Sequence, residues 1–235
     1  MLSKVNLMGE TLKKWLKEPD NQKKWKVKKK ELQEYAKVLK QLKNHPDFYI
    51  PLRLACSAFL SQGSNNKYIR FPKTYQDFLS IWIDINPQKH ESSDALAKRF
   101  TLWLKSRGNH FRAERLGNNY SQYFKKYNPI EDFQTISNLK DKTEIKSFWK
   151  KYDGVGDQYS KNIPMDEIHK AFLYSIKIDS RLISLLKGTN YEKLNSTEKE
   201  KIYLEAGQQN GLNGWEVDRI CYYFKDDINC NSLRN

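Results

Sequence analysis

Apolar residues recur at three- and four-residue intervals through nearly the whole chain, and the two-residue alternation of a strand is almost absent. Leu12, Trp15 and Leu16 form a short helical stripe that Pro19-Asp20-Asn21 is expected to break. Leu32, Tyr35, Leu39 and Leu42 define a second, ending before His45-Pro46. Ile50, Leu52, Leu54, Ala55, Ala58, Phe59 and Leu60 read as a core helix, closed by the polar run Ser61-Gln62-Gly63-Ser64-Asn65-Asn66. Phe78, Leu79, Ile81 and Trp82 mark a helix over 75–85. After a polar turn at 86–92, Asp94 is expected to cap the helix carrying Leu96, Phe100, Trp103 and Leu104. Leu116, Tyr120 and Phe124 follow the basic entry Arg107–Ala113, and Pro129 opens a further helix-forming stretch. Ile168, Phe172 and Leu173 predict more helix, Asp179 opens a segment through Leu182, Leu185 and Leu186 that Gly188 stops, and 197–206 and 214–225 form the last two helices. The fold class is all-α.

The most distinctive stretch is Tyr152-Asp153-Gly154-Val155-Gly156-Asp157-Gln158, followed by Ile178-Asp179-Ser180-Arg181. It lies between two amphipathic segments, one over 142–151 with Ile145, Phe148 and Trp149, the other opening at Asp157 with Tyr159, Ser160 and Ile163. Gly154 and Gly156 can take positive φ, and their bare backbone lets a ligand come close. N–H groups at such a turn, feeding a helix N-terminus, form a seat for a phosphate. A Gly-x-Gly turn also serves simply to reverse the chain, and the pattern alone leaves both readings open.

Charge favours the first. The 235 residues carry a formal net charge of +14, which suits an anionic partner, nucleic acid or an acidic membrane surface. Lysines crowd residues 1–46, with Trp15 and Trp25 among them, so this part reads as a lysine-rich helical arm packed by its apolar edge. Its lysine face could in addition touch phosphates, whereas its apolar face is too short for a membrane-surface helix. No apolar run reaches the length of a membrane span. Three cysteines, Cys56, Cys221 and Cys230, show no metal-site spacing and point to a reducing, intracellular compartment. His45, His90, His110 and His169 are scattered, so no metal site is expected, and there is no phosphate-binding loop, dinucleotide fingerprint or serine elbow.

With these elements placed, the chain resembles the helix-hairpin-helix DNA glycosylase superfamily of base excision repair, the group of endonuclease III, the adenine glycosylases and 8-oxoguanine glycosylase. Leu54–Gln62 looks like the family's early helix ending in Leu-Ser-Gln, and His110-Phe111-Arg112-Ala113 like its Tyr-Arg-x-Lys-Ala entry. Tyr152–Gly156 stands where the family has Leu-Pro-Gly-Val-Gly, and Ile178–Arg181 matches Val-Asp-x-His or Val-Asp-x-Arg. The resemblance spans roughly residues 48–225 and leaves the lysine-rich arm outside, giving domains 1–46 and 47–235.

The resemblance implies a two-lobed helical fold with a DNA-binding cleft between lobes, acting on double-stranded DNA with a damaged base, as a monomer. Asp179 would be the catalytic carboxylate, stabilising an oxocarbenium-like sugar or aligning water; it could equally cap the helix that follows. Gln62 corresponds to a loop that invades the duplex, and a polar helix end facing solvent is the other role open to it. Gly154, Val155 and Gly156 would hold a phosphate, with Lys161 and Arg181 reaching neighbouring ones. Such hairpins often also hold a monovalent cation through their carbonyls. The strand-cleaving members have a lysine two residues after the second hairpin glycine; here that residue is Gln158, which has no amine for a Schiff base. Lys161 projects about 300° further round the helix, so a monofunctional enzyme using water is expected. The alternative is a non-catalytic DNA-binding protein, and a third reading is a basic scaffold for RNA or an acidic protein. The iron–sulfur cluster of some relatives is excluded by the missing cysteines.

Pro164 is a second departure, expected to end the hairpin's second helix early. Trp103, Trp149, Trp215 and Tyr222 are candidates to stack on a flipped base, and at helical spacing each also fits the core. Asp218-Arg219 reads as a structural pair.

Overall fold

The computed structural model describes residues 7–62 and 70–228, and no strand occurs among them. Twelve α-helices are described, and the all-α expectation holds. They are α1 Leu7–Lys17, α2 Pro19–Gln41, α3 Pro46–Arg53, α4 Tyr75–Ile85, α5 Ser93–Ser106, α6 Ala113–Lys126, α7 Pro129–Asn138, α8 Lys142–Lys150, α9 Asp157–Asp166, α10 Ser180–Leu185, α11 Ser196–Gln209 and α12 Gly214–Tyr223. Part of the polar run after Gln62, and Cys230, fall outside the described residues.

The chain divides into two compact units. The first combines residues 1–33 with 168–235, and the second is 34–167. The lysine-rich stretch therefore does not stand apart: α1 packs on α11, and Asn210 donates from Nδ2 to Gly9 O at 2.9 Å. Trp15 faces Phe224 at 5.1 Å between ring centroids, and Trp25 faces Trp215 at 6.3 Å. Those two tryptophans are the apolar edge the sequence showed.

Local chemistry explains where helices start. Pro19 does not merely break the first stripe. It occupies the first position of α2, where its missing N–H costs nothing and its φ is preset. The helix then runs on through the lysines from Lys23 to Lys30, starting well before the expected Leu32. Asn21 and Gln22, in its first turn, donate to the carbonyls of Trp15 and Leu16 that end α1. Thr74 and Asp77 form a reciprocal capping box on α4, as do Asn195 with Glu198 on α11 and Asn213 with Glu216 on α12. Ser92, not Asp94, caps α5, accepting from Ala95 N; Asp94 sits in the first turn, where the helix dipole favours it. The stretch after Pro129 is two helices, with Asp141 capping the second.

Two departures bear on function. Beyond α3 the helix widens over Leu54–Phe59 into turns of the i to i+5 kind, with Leu60 N donating to Ala55 O at 2.8 Å. Such widening re-aims the next residues along the chain, which here are Ser61 and Gln62. Pro164 does not stop α9, which continues to Asp166, because the proline sits in its last turn where few bonds remain to be lost. The carbonyl of Ile163 is taken by the buried Arg53 guanidinium at 2.6 Å. Ile168 then adopts φ 52, and in place of the expected helix the chain makes a single tight turn at Lys170–Phe172.

Candidate nucleic-acid site

In the second unit, α8 buries Ile145, Phe148 and Trp149 and delivers the chain to Tyr152, itself 2% exposed. Val155 N closes a turn onto Tyr152 O at 3.0 Å, with Gly154 at φ 90 inside it. That conformation is strained for any side chain, and a Cβ there would meet Asn119 Nδ2 at 2.7 Å. Gly156 behaves differently. Its φ of −80 is extended backbone open to any residue, and a Cβ added there meets nothing within 4 Å. Of these two glycines Gly154 alone uses positive φ, and at Gly156 the space a side chain would take is open. Gly156 caps α9 and offers its first turn no side-chain oxygen.

The turn is held from three sides. Val155, 5% exposed, anchors it in the core. Gln62 is 6% exposed and donates from Nε2 to Gly154 O at 2.6 Å, while Tyr159 donates to Ser61 O at 3.3 Å. The widened end of the early helix is thus latched to the hairpin, and Gln62 is not a polar end facing solvent. Below the turn, Lys151 pairs with the buried Asp132 and lies over the rings of Phe148, Tyr152 and Tyr127 at 4.3, 5.0 and 5.1 Å. Burial, with Asp132 beside them, pushes the Tyr123 and Tyr152 hydroxyls well above their ordinary range, so both stay neutral.

Charge at the mouth is mixed. Lys126 meets Asp153 at 3.0 Å, and Asp157 meets Lys146 at 3.1 Å and Lys150 at 3.8 Å. Partial burial works against the Asp157 carboxylate, but Lys146, Lys161 and Lys150 together hold it below the usual range. Gln158 is exposed in the first turn of α9, and Lys161 is half-buried one turn on. Nearby, Asn109 is fully buried and donates to the carbonyls of Phe59 and Leu60, while its Oδ1 accepts from Phe111 N. That strut presents Phe111, 44% exposed, with the Arg112 guanidinium 4.6 Å from its ring centre. Neither Asn109 nor the Asp132–Lys151 brace stood out in the sequence, because each acts through partners distant along the chain.

Asp179 and Arg181 belong to the first unit. Asp179 is 9% exposed and caps α10, its Oδ1 accepting from Arg181 N at 2.9 Å and Leu182 N at 3.3 Å. Both cap bonds go to one oxygen, which spares Oδ2. The segment before it is pinned by two carboxylates: Glu200 accepts from Ile176 N at 3.1 Å and Asp218 from Lys177 N at 2.7 Å. Asp218 also pairs with Arg219, whose Nη1 lies 3.8 Å from Oδ2, as the sequence suggested. It is buried, which raises its carboxyl, and the charge of Asp179 pushes the same way. The Arg181 guanidinium sits 3.9 Å from the Tyr222 ring centre. Trp103, Trp149 and Trp215 are each at most 7% exposed, so these three are core. Tyr222, half-buried, is the remaining stacking candidate.

No protein-family model and no curated protein sequence matches the chain. Among solved structures it matches the crystal structure of Methanocaldococcus jannaschii 8-oxoguanine glycosylase/lyase in complex with a 15mer DNA containing 8-oxoguanine. Identity is 14% and the TM-score 0.59, with 93% of this chain and 97% of that chain covered. The likeness shows a shared helical fold extending through almost the whole of both proteins.

Proposed function

We propose that the chain is a DNA N-glycosylase of base excision repair, hydrolysing the N-glycosidic bond of a damaged or mismatched base turned out of double-stranded DNA. The observation that carries this is the latched glycine turn ahead of α9, open in front of Gly156, within a fold shared with a DNA glycosylase/lyase. The amides opening α9 would receive a backbone phosphate, with Lys161 and Arg181 near neighbouring ones. Gln62 is committed to Gly154, so it acts here as a positioning residue, and Phe111, exposed among the described residues, is one side chain able to fill the vacated stack. Asp179 then stabilises the positive charge on the sugar as the base departs with its bonding electrons, water adds at the anomeric carbon, and the proton that water gives up is taken by the departed base. No step of this reaction requires a monovalent cation at the hairpin.

Gln158 supplies no amine, so the reaction ends with an intact strand bearing an abasic site. Single-turnover assays on a panel of lesion-bearing and mismatched duplexes should give base release from at least one, with strand breaks only after alkali. Borohydride should trap no efficient covalent adduct; strong trapping would show instead that another amine attacks the sugar. Gln158 also favours a second reading, a DNA-binding protein that has lost its chemistry, and release from no duplex in the panel would select it.

A further inference from the structure

Nine lysines fall between residues 13 and 30, and the structure sorts those of α2 into two sets. Lys29 pairs with Glu216 at 2.6 Å and Lys24 with Asp227 at 3.0 Å, while Lys28 meets Glu31 and lies 4.8 Å from the Tyr223 ring centre. These three fasten the helix to the C-terminal part of its own unit. Lys23, Lys26 and Lys30 are exposed and take no ion pair among the described residues. At 3.6 residues per turn they share a sector about 60° wide, turned roughly 130–150° from Trp25 and Leu32. Spacings of three and four residues set like charges side by side, each costing about 0.2–0.5 kcal/mol. Only Asp20 interrupts the positive run from Pro19 to Lys30. A face that merely needed solvation would mix signs; this one keeps uncompensated charge pointing outward.

We infer that the Lys23–Lys26–Lys30 face of α2 is a second contact surface for the phosphate backbone of duplex DNA, separate from the hairpin. This rests on the proposed DNA-binding function. The three ammonium groups extend over about 10 Å of helix, a length in which duplex DNA carries about six phosphate charges, so all three can be neutralised at once without bending either partner. An anionic membrane fits less well. The apolar side of α2 is spent on packing, with Trp25 7% exposed, and Val27 is the exposed large apolar side chain on this helix.

The test uses the full chain and an undamaged duplex, with affinity followed across salt concentration. Each phosphate contact contributes about 0.9 to the slope of log K against log salt. The triple variant K23Q/K26Q/K30Q should therefore flatten the slope by about 2.7, with thermal unfolding unchanged or slightly raised as repulsion is removed. The control K187Q/K193Q/K201Q removes equal charge elsewhere on the same unit and should flatten it much less. Equal effects in both variants would reduce the result to net charge and overturn the inference, as would an unaltered slope in the first. Lysine-dependent binding to anionic vesicles with duplex binding untouched would overturn it in favour of a membrane. If the wild type binds no duplex at all, the DNA reading itself falls; wild-type binding with an indifferent triple variant sinks the α2 surface alone.

Discussion

Replacing Asp179 with asparagine should leave the protein folded and bound to duplex DNA while slowing single-turnover base release by about 10²–10³-fold. Structure and chemistry separate cleanly at this position. The cap needs one acceptor oxygen for Arg181 N and Leu182 N, and asparagine is as good an N-cap as aspartate. The chemistry needs negative charge. A carboxylate about 4 Å from a developing cation at an effective dielectric near 20 is worth about 4 kcal/mol, close to three powers of ten in rate. Asp179→Ala removes both and should lose a further ~1 kcal/mol of stability with the cap. Base release measured against unfolding midpoint for the two variants keeps the roles apart. A full rate from the asparagine variant would confine Asp179 to holding α10.

A comparably large effect, on stability, is expected at Glu167. Its carboxylate accepts from Tyr49 and meets Arg53 Nε at 3.1 Å and Lys43 Nζ at 2.9 Å; the Arg53 and Glu167 side chains are 0% and 4% exposed. Arg53 also donates to Ser57 Oγ and to Ile163 O at the end of α9, so this pair ties the early helix to the hairpin's second helix. Burial works against the guanidinium's charge, and Glu167 with Tyr49 outweighs it, so arginine stays ionised. Burial, then Glu167, pushes the Tyr49 hydroxyl well up, leaving it a neutral donor. Glu167→Ala strands a buried cation and should cost about 3–5 kcal/mol, a fall in Tm on the order of 10 °C. Arg53→Met with Glu167→Leu should recover much of that, since an apolar pair avoids the unpaired charge. Denaturant titration of the three proteins decides it, and a loss under about 1 kcal/mol for Glu167→Ala would mean that water or the Asp166 carboxylate reorganises to cover Arg53.

The elements legible in the sequence were those with local causes. The apolar spacing of Ile145, Phe148 and Trp149 and the cap chemistry of Asp179 each needed only residues within a turn of one another. Gly154 was legible too, as a glycine in a turn that needs positive φ. The hidden features depend on partners far along the chain. Nothing around Pro51-Leu52-Arg53-Leu54 announces that a charged residue sits fully buried in that apolar run until Glu167 and the Ile163 carbonyl are placed beside it. Gln62 was legible as a polar residue at a helix end, but not its inward turn onto Gly154, because the widened Leu54–Phe59 turns rotate it away from an ordinary helical register. Asp218 was legible only in part for the same reason. Its sequence neighbour Arg219 suggested a side-chain pair, while its short bond goes to a backbone N–H that only the fold brings near.

The most direct test is a structure of the full chain on a duplex carrying a cationic abasic-sugar analogue at the lesion position. The analogue's charged ring is expected within about 3 Å of the Asp179 carboxylate, with a backbone phosphate on the amides that open α9. A duplex bound with that carboxylate turned away from the sugar, or with the Gly154–Gly156 turn facing empty solvent, would contradict a glycosylase built on these two features.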